Sequence, residues 1–538
     1  MLSSRPALVL LSMKNKFTSA QYKRLYPSAS QPGLYFGLAK VHKIKNDSRD
    51  VNELPLRPVI SNIGTATYQV SKYLANLLKP ITKSEFTIES TKDFVEKIKK
   101  KKIDKEFEMI SFDVVSLFTS VPLDFTIELI LNKVYNEKLI TTKLKRDEMK
   151  ALLELCTKEM HFSFNDKIYR QVNGVAMGSP LGPVIANIFM VELERRLIPT
   201  MYDKISLWFR YVDDTFTFIK RGEVDNIIRI LNSFHESINF TFEKETDESI
   251  SFLDVNVMKR TDGSFDTDIH RKKTDTNVYL NWESFAPRAW KVGTLKGLLR
   301  RAFIICSTDE YRNKEITFLK KVFIQINGYP SKVVNKVVNE VRKKLTAVSD
   351  VPHVAPGLPT VVNNSTVPGT KNAKSNEEIY NPYICLPYKG LQGEEIIKKF
   401  RDVLTKALPT NVKPRIIFKG KQLGSCFRIK DKVPLEHETN LVYAFKPKYN
   451  SEQKTEYVGE TNVRYGTRSY EHCNTDKESS VYKHKESKKL DISENDFEIL
   501  DKGYTKKVDR KLAEALYVKE LDPVLNRQKK SWKLLLFN

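Results

Sequence analysis

The chain has 538 residues and is 41% hydrophobic and 10% aromatic, which is enough apolar content for globular folding over about three or four domains. The formal net charge of +24 predicts a polyanionic partner, with nucleic acid as the leading candidate and a solvated basic surface as the alternative. The scattered cysteines form no C-x-x-C pair, which argues against a disulfide scaffold or an ordinary zinc ribbon and favours a reducing compartment. The short apolar segment PALVLLSM lacks a cleavage pattern and no stretch reaches the length of a membrane span, so neither secretion nor a membrane is expected.

The pattern of residues predicts a multidomain protein of mixed α/β and α+β class. Over residues 1–284, the helical segments TKDFVEKIKK and TIELILNKVYNEKLITTKLKRDEMKALLELC alternate with the strand-like runs FEMISFDVV, LWFRYVDDTFTFI, INFTFEKE and ISFLDVNVMK. Residues 285–348 are helical and basic, and 349–377 are rich in Pro, Asn, Ser and Thr without periodicity, as is typical of a linker. Residues 378–434 predict a small αβ connector, with GEEIIKKFRDVLTKAL as a helix and PRIIFKG as a strand, and 435–538 predict a further αβ unit.

Three acids lie in strand-like segments of the first part. Asp113 ends an apolar strand in MISFDVVSLFTSVP, and Asp213 and Asp214 lie in a strand–turn–strand pattern, SLWFRYVDDTFTFIK. Adjacent carboxylates are costly there unless a divalent metal neutralises them. A polymerase needs acids on neighbouring strands that hold two Mg²⁺ ions about 4 Å apart, one to activate the primer 3′-OH and one to neutralise the leaving pyrophosphate. Taken singly, each acid also fits a turn, a cap or a surface hairpin.

Basic side chains and a Gly/Pro-rich turn accompany these acids. Cations that suit a triphosphate are Lys40 and Lys43 in LYFGLAKVHK and Arg57 in LRPVIS, with a plain basic face as the alternative. The turn in NGVAMGSPLGPVIANIFMVELE precedes a helix, and we expect its backbone to lie against the templating base pair because glycine permits close approach. The residues of this turn are Gly178, Ser179 and Pro180, and Ser179 is alternatively a cap of the helix.

These segments, in this order, resemble reverse transcriptases over roughly residues 20–330. The details YFGLAKVHK, FDVVSLFTSVP, GVAMGSPLGPVIANIFM, FRYVDDTF and ISFLDVNV look like the Penelope-like retroelement branch, which is akin to telomerase in its catalytic core. The resemblance implies a right-hand fold of fingers, palm and helical thumb, and RNA-templated DNA synthesis. It also implies that Phe118 screens the sugar 2′-OH, with an ordinary core position as the alternative. The stretch that begins FAPRAWKVGTLKGLLRRAFIICS looks like the thumb, which would grip the template–primer duplex.

The C-terminal part carries a second group of candidate residues. The strands NLVYAF and TEYVGE predict a hairpin with Tyr443 and Tyr457, and a following helix puts Arg468 and His472 on one face at i, i+4 spacing. A later helix, DRKLAEALYVKELDPVLNRQ, contains Glu514. Taken singly, the tyrosines fit a core and the glutamate fits a solvated helix face.

The order VY…YVGET…R…EH…EAL…PVLN resembles the GIY-YIG nuclease family over about residues 438–530. The resemblance implies phosphodiester hydrolysis with a single Mg²⁺ held by Glu514, and a water activated by Tyr443 or Tyr457. Arg468 would stabilise the charge of the phosphorane-like transition state. His472 would assist proton transfer or orient a tyrosine.

Asn526, the cysteines and the start of the chain bear on how closely the chain resembles these families. Asn526, in PVLN, matches a common family position that is structural or near the nuclease site. Many relatives carry a zinc-finger-like insert with two cysteines between the tyrosine motifs, whereas this chain has AFKPKYNSEQKTE, so we expect no Zn²⁺. Cys426 and Cys473 are remnants of such an insert or plain buried thiols. The chain begins shortly before YFGLAKVHK, so an N-terminally truncated copy is a further interpretation.

Together the two resemblances imply a nuclear retrotransposon enzyme that nicks genomic DNA and extends the new 3′-OH by copying its element RNA. Its partners would be the element RNA, the target DNA and dNTPs, with two Mg²⁺ in the polymerase site and one in the nuclease site, and Mn²⁺ as a substitute. The basic run from Lys97 to Lys102 would hold nucleic acid, or forms a solvated helix face or a nuclear import signal. Alternatives are a decayed or domesticated copy that only binds nucleic acid, and a telomerase-like or maturase-like reverse transcriptase.

Overall fold

The computed structural model of the protein describes residues 4–27, 30–40, 55–346, 383–409, 412, 415–419, 432–448, 454–504 and 506–526. The chain forms two units, one from Met1–Thr87, Phe112–Phe242 and Arg428–Asn538 and the other from Ile88–Ser111 and Glu243–Phe427. The predicted linker at 349–377 and the residues Lys43 and Cys426 lie outside the described residues. The predicted domain borders stay predictions. Within the described part of the chain, no helix is both long and apolar enough to cross a membrane.

The described elements confirm a mixed α/β architecture. The helices are α1 (Ser4–Ser12), α2 (Ser19–Leu25), α3 (Tyr68–Leu78), α4 (Thr91–Ile98), α5 (Leu117–Ser120), α6 (Leu123–Tyr135), α7 (Arg146–Thr157), α8 (Gly182–Leu197), α9 (Val224–Asn232), α10 (Arg288–Ile305), α11 (Asp309–Lys321), α12 (Ser331–Thr346), α13 (Leu391–Ala407), α14 (Tyr465–Tyr470), α15 (Ser480–Lys488) and α16 (Lys507–Leu521). The strands are β1 (Gly33–Ala39), β2 (Leu56–Ser61), β3 (Phe107–Val114), β4 (His161–Phe164), β5 (Lys167–Arg170), β6 (Ile205–Tyr211), β7 (Asp214–Lys220), β8 (Phe240–Lys244), β9 (Ser249–Phe252), β10 (Val255–Lys259), β11 (Phe265–Ile269), β12 (Tyr383–Pro387), β13 (Arg415–Lys419), β14 (Leu441–Phe445), β15 (Tyr457–Thr461) and β16 (Phe497–Lys502).

Two four-stranded sheets carry the residues predicted from the first part of the sequence. One has the strand order β6-β7-β3-β8 and the other the order β2-β1-β4-β5. In the first sheet β6 and β7 form the predicted antiparallel hairpin, and Phe112 of β3 stacks on Trp208 of β6 with 5.9 Å between the ring centroids. Since both of these side chains are buried, aromatic packing holds the strands of this sheet in register.

Two predicted elements are broken in the structure. The long helical segment after Thr126 splits into α6 and α7, because Lys138 adopts a left-handed φ of +55° and Glu148 caps the start of α7 by accepting from the Lys145 amide at 2.7 Å. The predicted strand ISFLDVNVMK is a hairpin of β9 and β10, since Leu253 has φ +55° and the chain reverses there. Both breaks fall at non-glycine residues with positive φ, which the sequence pattern did not indicate.

The Gly-rich loop before α8 packs on the backbone that follows β3. The amide of Val175 donates to the carbonyl of Phe118 at 2.7 Å. Gly174 has φ +64°, and a Cβ there would lie 2.4 Å from the Phe118 oxygen. Glycine is therefore required at this position by both its backbone conformation and its contact.

The C-terminal part of the first unit is a three-stranded sheet of order β15-β14-β16 with α14, α15 and α16 around it. The predicted hairpin is confirmed, since β14 and β15 pair antiparallel from Leu441↔Thr461 to Phe445↔Tyr457. Asn526 fixes the outer strand, because its side chain accepts from the Val458 amide at 2.8 Å and donates to the Val458 carbonyl at 2.7 Å. This contact gives Asn526 a structural role.

The second unit contains α4, the sheet of order β11-β10-β9 and the helices α10, α11 and α12. The three helices, which confirm the predicted helical segment, pack around a shared apolar core that includes Leu299, Phe323 and Val338. β12 and β13 pair in parallel, with α13 as the connecting helix. The basic run from Lys97 to Lys102 does not form the face of one helix, because α4 ends at Ile98 and the lysines from Lys99 onward follow it.

We predict that Gly174→Ala destabilises the protein more than Gly222→Ala. Gly222 has φ +85° with nothing within 4 Å of an added Cβ, so alanine there adds only backbone strain of about 1 kcal/mol. Gly174→Ala adds a clash with the Phe118 carbonyl and should cost at least about 3 kcal/mol. Urea unfolding of the two full-length variants measures the difference, and equal costs would contradict the packing described for the loop.

Candidate functional site

The predicted acid pair occupies a tight turn between β6 and β7. Tyr211 pairs with Asp214, so Val212 and Asp213 form the two-residue turn. Val212 has φ +59°, the region that glycine usually occupies at the first position of a hairpin turn. Because a β-branched residue is strained in this conformation, the turn needs support from its surroundings.

Asp113 comes from the neighbouring strand of the same sheet. It is the seventh of the eight residues of β3 and is exposed. The strand order places β3 beside β7, which begins with the half-buried Asp214. On the other side of β3, the hydroxyl of Thr241 donates to the Asp113 carbonyl at 3.4 Å. Acids therefore do project from neighbouring strands, and their catalytic roles stay predictions.

Carboxylates from two adjacent strands suit Mg²⁺ in donor type. Within the described ranges, no group of three or more His, Cys, Asp or Glu side chains is arranged to hold a metal ion by itself. Mg²⁺ in phosphoryl-transfer sites is commonly held by one or two carboxylates together with substrate phosphates. Asp113 and Asp214 can supply those carboxylates, and Asp213 lies beside them in the turn.

A buried charged cluster, which we call the Arg210 cluster, lies next to this turn. The guanidinium of Arg210 donates to Glu194 through Nε at 2.5 Å and a terminal nitrogen at 3.2 Å, and both side chains are fully buried. Its other terminal nitrogen donates to Asn187 Oδ1 at 2.8 Å and to the Val212 carbonyl at 3.1 Å. This cluster was not predicted from the sequence, although a charged residue inside the apolar run LWFRYV indicates a buried partner.

Two of the predicted triphosphate-binding cations, Lys40 and Arg57, lie where β1 ends and β2 begins. Arg57 pairs with Leu38, and the Lys40 amide donates to the Pro55 carbonyl at 2.8 Å. Since paired and alternate residues share a face of a sheet, Lys40 and Arg57 lie on the same face. Arg57 is exposed and Lys40 is half-buried, so both can reach a ligand.

The Gly-Ser-Pro turn has contacts within the chain that account for two of its residues. A Cβ on Gly178, which has φ +128°, would lie 2.3 Å from the Ile60 carbonyl of β2. The hydroxyl of Ser179 accepts from the Leu181 amide at 3.3 Å within the turn, whereas the N-cap of α8 is Leu181 and has no side-chain cap, so Ser179 does not cap the helix. The structure gives Pro180 no contact that bears on function, and an approach of this turn to a templating base pair stays a prediction. Phe118 is half-buried, and its role at the sugar likewise stays a prediction.

The C-terminal candidates form a hydrogen-bonded network around one buried phenol, which we call the Tyr443 network. The Tyr443 hydroxyl lies 2.6 Å from His472 Nε2, and Arg468 Nε donates to the Tyr443 oxygen at 3.3 Å. His472 Nδ1 contacts the hydroxyl of Ser479. The structure thus brings Tyr443, Arg468 and His472 together, although α14 ends at Tyr470 and His472 lies in a following π-helical turn.

Hydrogen-bonding capacity assigns the protons of this network. Arginine only donates, so the Tyr443 oxygen accepts from Arg468, and its own proton goes to His472 Nε2. His472 Nδ1 then carries a proton and donates to Ser479. Burial and the charge of Arg468 lower the pKa of His472 to about 3, while burial raises the pKa of Tyr443 well above its usual value. At neutral pH both groups are therefore uncharged.

Tyr457 and Glu514 complete this second site. The Tyr443 and Tyr457 rings lie 6.4 Å apart, and a Cβ on Gly459 would lie 2.6 Å from the Tyr443 oxygen and 2.8 Å from Tyr457 Cε1. Burial and the charge of Glu514 raise the pKa of Tyr457. Burial and the nearby charge of Glu460 raise the pKa of Glu514. A carboxyl group that is half-buried beside another carboxylate favours a bound cation.

Three further contacts in this domain were not predicted. Arg468 also donates to Glu471 at 2.8 Å and to Asp476 at 3.0 Å, so its guanidinium is held by two carboxylates. Arg510, one turn before Glu514 on α16, is buried and pairs with Glu460 of β15. The pattern YVGET does contain a signal for the approach of Tyr443 to Gly459, because a glycine inside a strand indicates close approach of another group.

Comparison with known proteins identifies one domain. Residues 49–246 match the family model of the reverse transcriptase (RNA-dependent DNA polymerase), and residues 278–339 match that of the animal helix-turn-helix domain. The chain therefore contains a reverse transcriptase domain, which is an RNA-directed DNA polymerase. A search of curated proteins found no match.

Several solved structures are similar to the chain at low identity. Telomerase from Candida albicans, in complex with the TWJ fragment of telomeric RNA, is 13% identical with a TM-score of 0.41, over 64% of this chain and 64% of that one. Telomerase from Candida tropicalis in the same kind of complex is 13% identical with a TM-score of 0.34, over 60% of this chain and 54% of that one. The Sicinivirus 3Dpol RNA-dependent RNA polymerase is 11% identical with a TM-score of 0.36, over 60% of this chain and 71% of that one. The chain thus spans less than two thirds of either telomerase.

We predict that the C-terminal sheet loses stability as the pH falls below 6.5. The unfolded chain protonates His472 near pH 6.5, whereas the folded chain resists protonation down to about pH 3. The contribution of His472 to the free energy of unfolding is complete above pH 6.5 and falls by about 1.4 kcal/mol per pH unit below it. Hydrogen exchange at the β14 amides of the full-length protein measures this as a tenfold loss of protection per unit, after correction for intrinsic exchange.

The matched variant for this experiment is His472→Gln, which keeps a polar side chain but removes the titration. Its β14 protection should depend less on pH than that of the wild-type protein. The same pH dependence in both proteins would show that another group is responsible.

Proposed function

We propose that the chain is a Penelope-like retroelement protein whose reverse transcriptase domain copies element RNA into DNA at a nick. The observation that carries the polymerase part is the strand order of the first sheet, in which β3 with Asp113 lies beside β7 with Asp214. Carboxylates on neighbouring strands suit the metal-assisted chemistry of phosphoryl transfer. The match of residues 49–246 to reverse transcriptases supports the same assignment.

Different residues of the chain bind the metal ions and the triphosphate during nucleotide addition. Asp113 and Asp214, with Asp213 beside them, hold two Mg²⁺ ions, which when bound activate the primer hydroxyl and neutralise the leaving pyrophosphate. Lys40 and Arg57 bind the triphosphate from one face of the β1–β2 ladder, with Arg57 able to engage two oxygens.

The three-helix segment supports the nucleic-acid partner. α12 exposes Lys332, Lys336 and Lys343, and their spacing of four and seven residues puts them on one face of the helix. A lysine row of this kind suits a phosphate backbone. The match of residues 278–339 to an animal helix-turn-helix domain supports a nucleic-acid-facing role for the same helices.

Asp213→Ala combined with Asp214→Ala should abolish DNA synthesis. We expect a loss of about a thousandfold or more in primer extension on poly(rA)/oligo(dT) with Mg²⁺, because metal ions supply several kcal/mol of charge stabilisation. The control is Asp247→Ala with Glu248→Ala, an exposed acid pair in another hairpin turn. Equal activity in the wild type and the first variant would refute the polymerase site.

A second activity, DNA nicking by the C-terminal domain, is favoured by the Tyr443 network. Arg468 and His472 both contact the Tyr443 hydroxyl, and Glu514 is close enough for its charge to raise the pKa of that phenol and of Tyr457, after the larger effect of burial. This combination of phenol, imidazole, guanidinium and carboxylate is that of the GIY-YIG nucleases which the sequence resembles.

In the proposed nuclease, Glu514 holds Mg²⁺, which when bound polarises the phosphodiester. The uncharged His472 accepts a hydrogen bond from the Tyr443 hydroxyl, which leaves the phenol protonated and orients it for contact with the attacking water. Arg468 stabilises charge on the phosphate oxygens as it develops. Its two carboxylate partners, Glu471 and Asp476, fix the direction of the guanidinium.

Glu514→Gln should eliminate nicking of supercoiled plasmid while leaving primer extension intact. The matched control is Glu520→Gln, which changes an exposed glutamate on the same helix. Loss of the carboxylate removes the metal ligand, so we expect a decrease of at least about a hundredfold. Nicking that persists in Glu514→Gln would point to a different site.

Two experiments separate the proposal from its rivals. A decayed or domesticated copy would bind RNA without incorporating dNTPs under any metal. A telomerase-like or maturase-like enzyme would extend a primer but would lack plasmid nicking that depends on Glu514.

Nuclear localisation, which the proposal requires, is tested by imaging a tagged chain with and without the lysines of the Lys97–Lys102 run.

A further inference from the structure

We infer that the Arg210 cluster sets the conformation of the metal-binding turn, so that Arg210 and Glu194 are positioning residues of the polymerase site. This inference rests on the proposed function. It concerns residues that neither the family resemblance nor the comparisons assign.

The Glu194 carboxylate has no capacity left for solvent or ligand. It accepts from Arg210 Nε, from an Arg210 terminal nitrogen, from Trp208 Nε1 at 3.2 Å and from the Ser84 hydroxyl at 2.7 Å. A carboxylate has about four lone-pair sites, so these donors fill it. The pair is therefore satisfied inside the protein and is not itself a ligand site.

The remaining donors of Arg210 are directed at the turn and at α8. One terminal nitrogen bonds both Asn187 Oδ1 and the Val212 carbonyl. Asn187 and Glu194 are seven residues apart on α8, which is two helical turns, so they present their side chains on one face. The guanidinium thus links the turn to a rigid helix at two points.

The hydrogen bond to Val212 explains how a strained turn persists. Left-handed φ at a β-branched residue costs on the order of 1–3 kcal/mol, and Val212 has φ +59°. A charge-assisted bond to its carbonyl offsets that cost and fixes the peptide that leads into Asp213. Without it, Val212 would relax, and Asp213 and Asp214 would lose the positions that the turn gives them at the start of β7, beside β3.

Removal of one partner alone would leave an unpaired buried charge and risks unfolding. The informative variant is therefore Arg210→Met with Glu194→Gln, which removes both charges while the new amide can still accept from Trp208 Nε1 and donate to the Ser84 hydroxyl. The matched control is Lys133→Met with Glu192→Gln. Lys133 of α6 and Glu192 of α8 form another buried ion pair, at 3.3 Å, for which the described residues show no contact to the turn.

The first readout is Mn²⁺ binding, measured by electron paramagnetic resonance on the full-length protein. The relevant component is the one that Asp213→Ala with Asp214→Ala eliminates. We expect Arg210→Met with Glu194→Gln to weaken this component about tenfold or more, as is typical of supporting residues around a metal, and the control to leave it unchanged. Unchanged affinity in the Arg210 variant, or no component that depends on the acid pair, overturns the inference.

A third substitution tests whether the cluster acts through the turn. Glycine adopts left-handed φ without strain, so Val212→Gly added to Arg210→Met with Glu194→Gln should restore part of the Mn²⁺ affinity. No recovery would contradict an action through Val212.

The second readout is the Mg²⁺ concentration for half-maximal primer extension, which should rise in the Arg210 variant. A wild-type protein without primer extension would refute the proposed function, whereas Mn²⁺ binding would still decide the role of Arg210.

Discussion

The buried ion pair between Arg210 and Glu194 is the constraint on which the polymerase site depends. Burial of two charges costs several kcal/mol per ion, and apolar residues of similar volume often give equal or greater stability. The pair therefore contributes specificity more than stability. The donors of the Arg210 guanidinium are all paired in only one arrangement of β6, α8 and the Val212 turn, since any shift leaves a buried donor without a partner.

The Tyr443 network follows the same principle with uncharged groups. Tyr443 and His472 are buried, and each is neutral because burial disfavours its charged form. A permanent charge, that of Arg468, contacts the Tyr443 hydroxyl, and two carboxylates hold it in place. In one site a buried charge pair supports the turn that carries half-buried acids, and in the other an arginine held by two carboxylates orients an uncharged phenol.

The sequence predicted what depends on local pattern, and missed what depends on distant partners. Alternation and turn residues were sufficient for the β6–β7 hairpin, and order along the chain was sufficient to associate Asp113 with Asp214. The charge of Arg210 inside an apolar run indicated a partner, but Glu194 and other acids of the same helix were equivalent candidates. Leu253 broke a predicted strand because nothing in an apolar residue indicates positive φ. Likewise, the contact of Ser479 with His472 depends on how α15 packs.

Helix α8 connects the parts of the polymerase site that the sequence presents separately. The loop before it contacts Ile60 of β2 through Gly178 and the Phe118 carbonyl through Val175, so its N-terminal side meets both the strand that carries Arg57, a proposed nucleotide ligand, and the segment after Asp113. Asn187 and Glu194 lie further along the same helix, two helical turns apart. Both accept from Arg210, which holds the proposed metal-binding turn between β6 and β7. Because a packed helix moves as a rigid body, a displacement of the nucleotide side would reach the turn through this contact. Nucleotide binding and metal binding in this chain are therefore expected to be coupled through α8 rather than through the sheet alone.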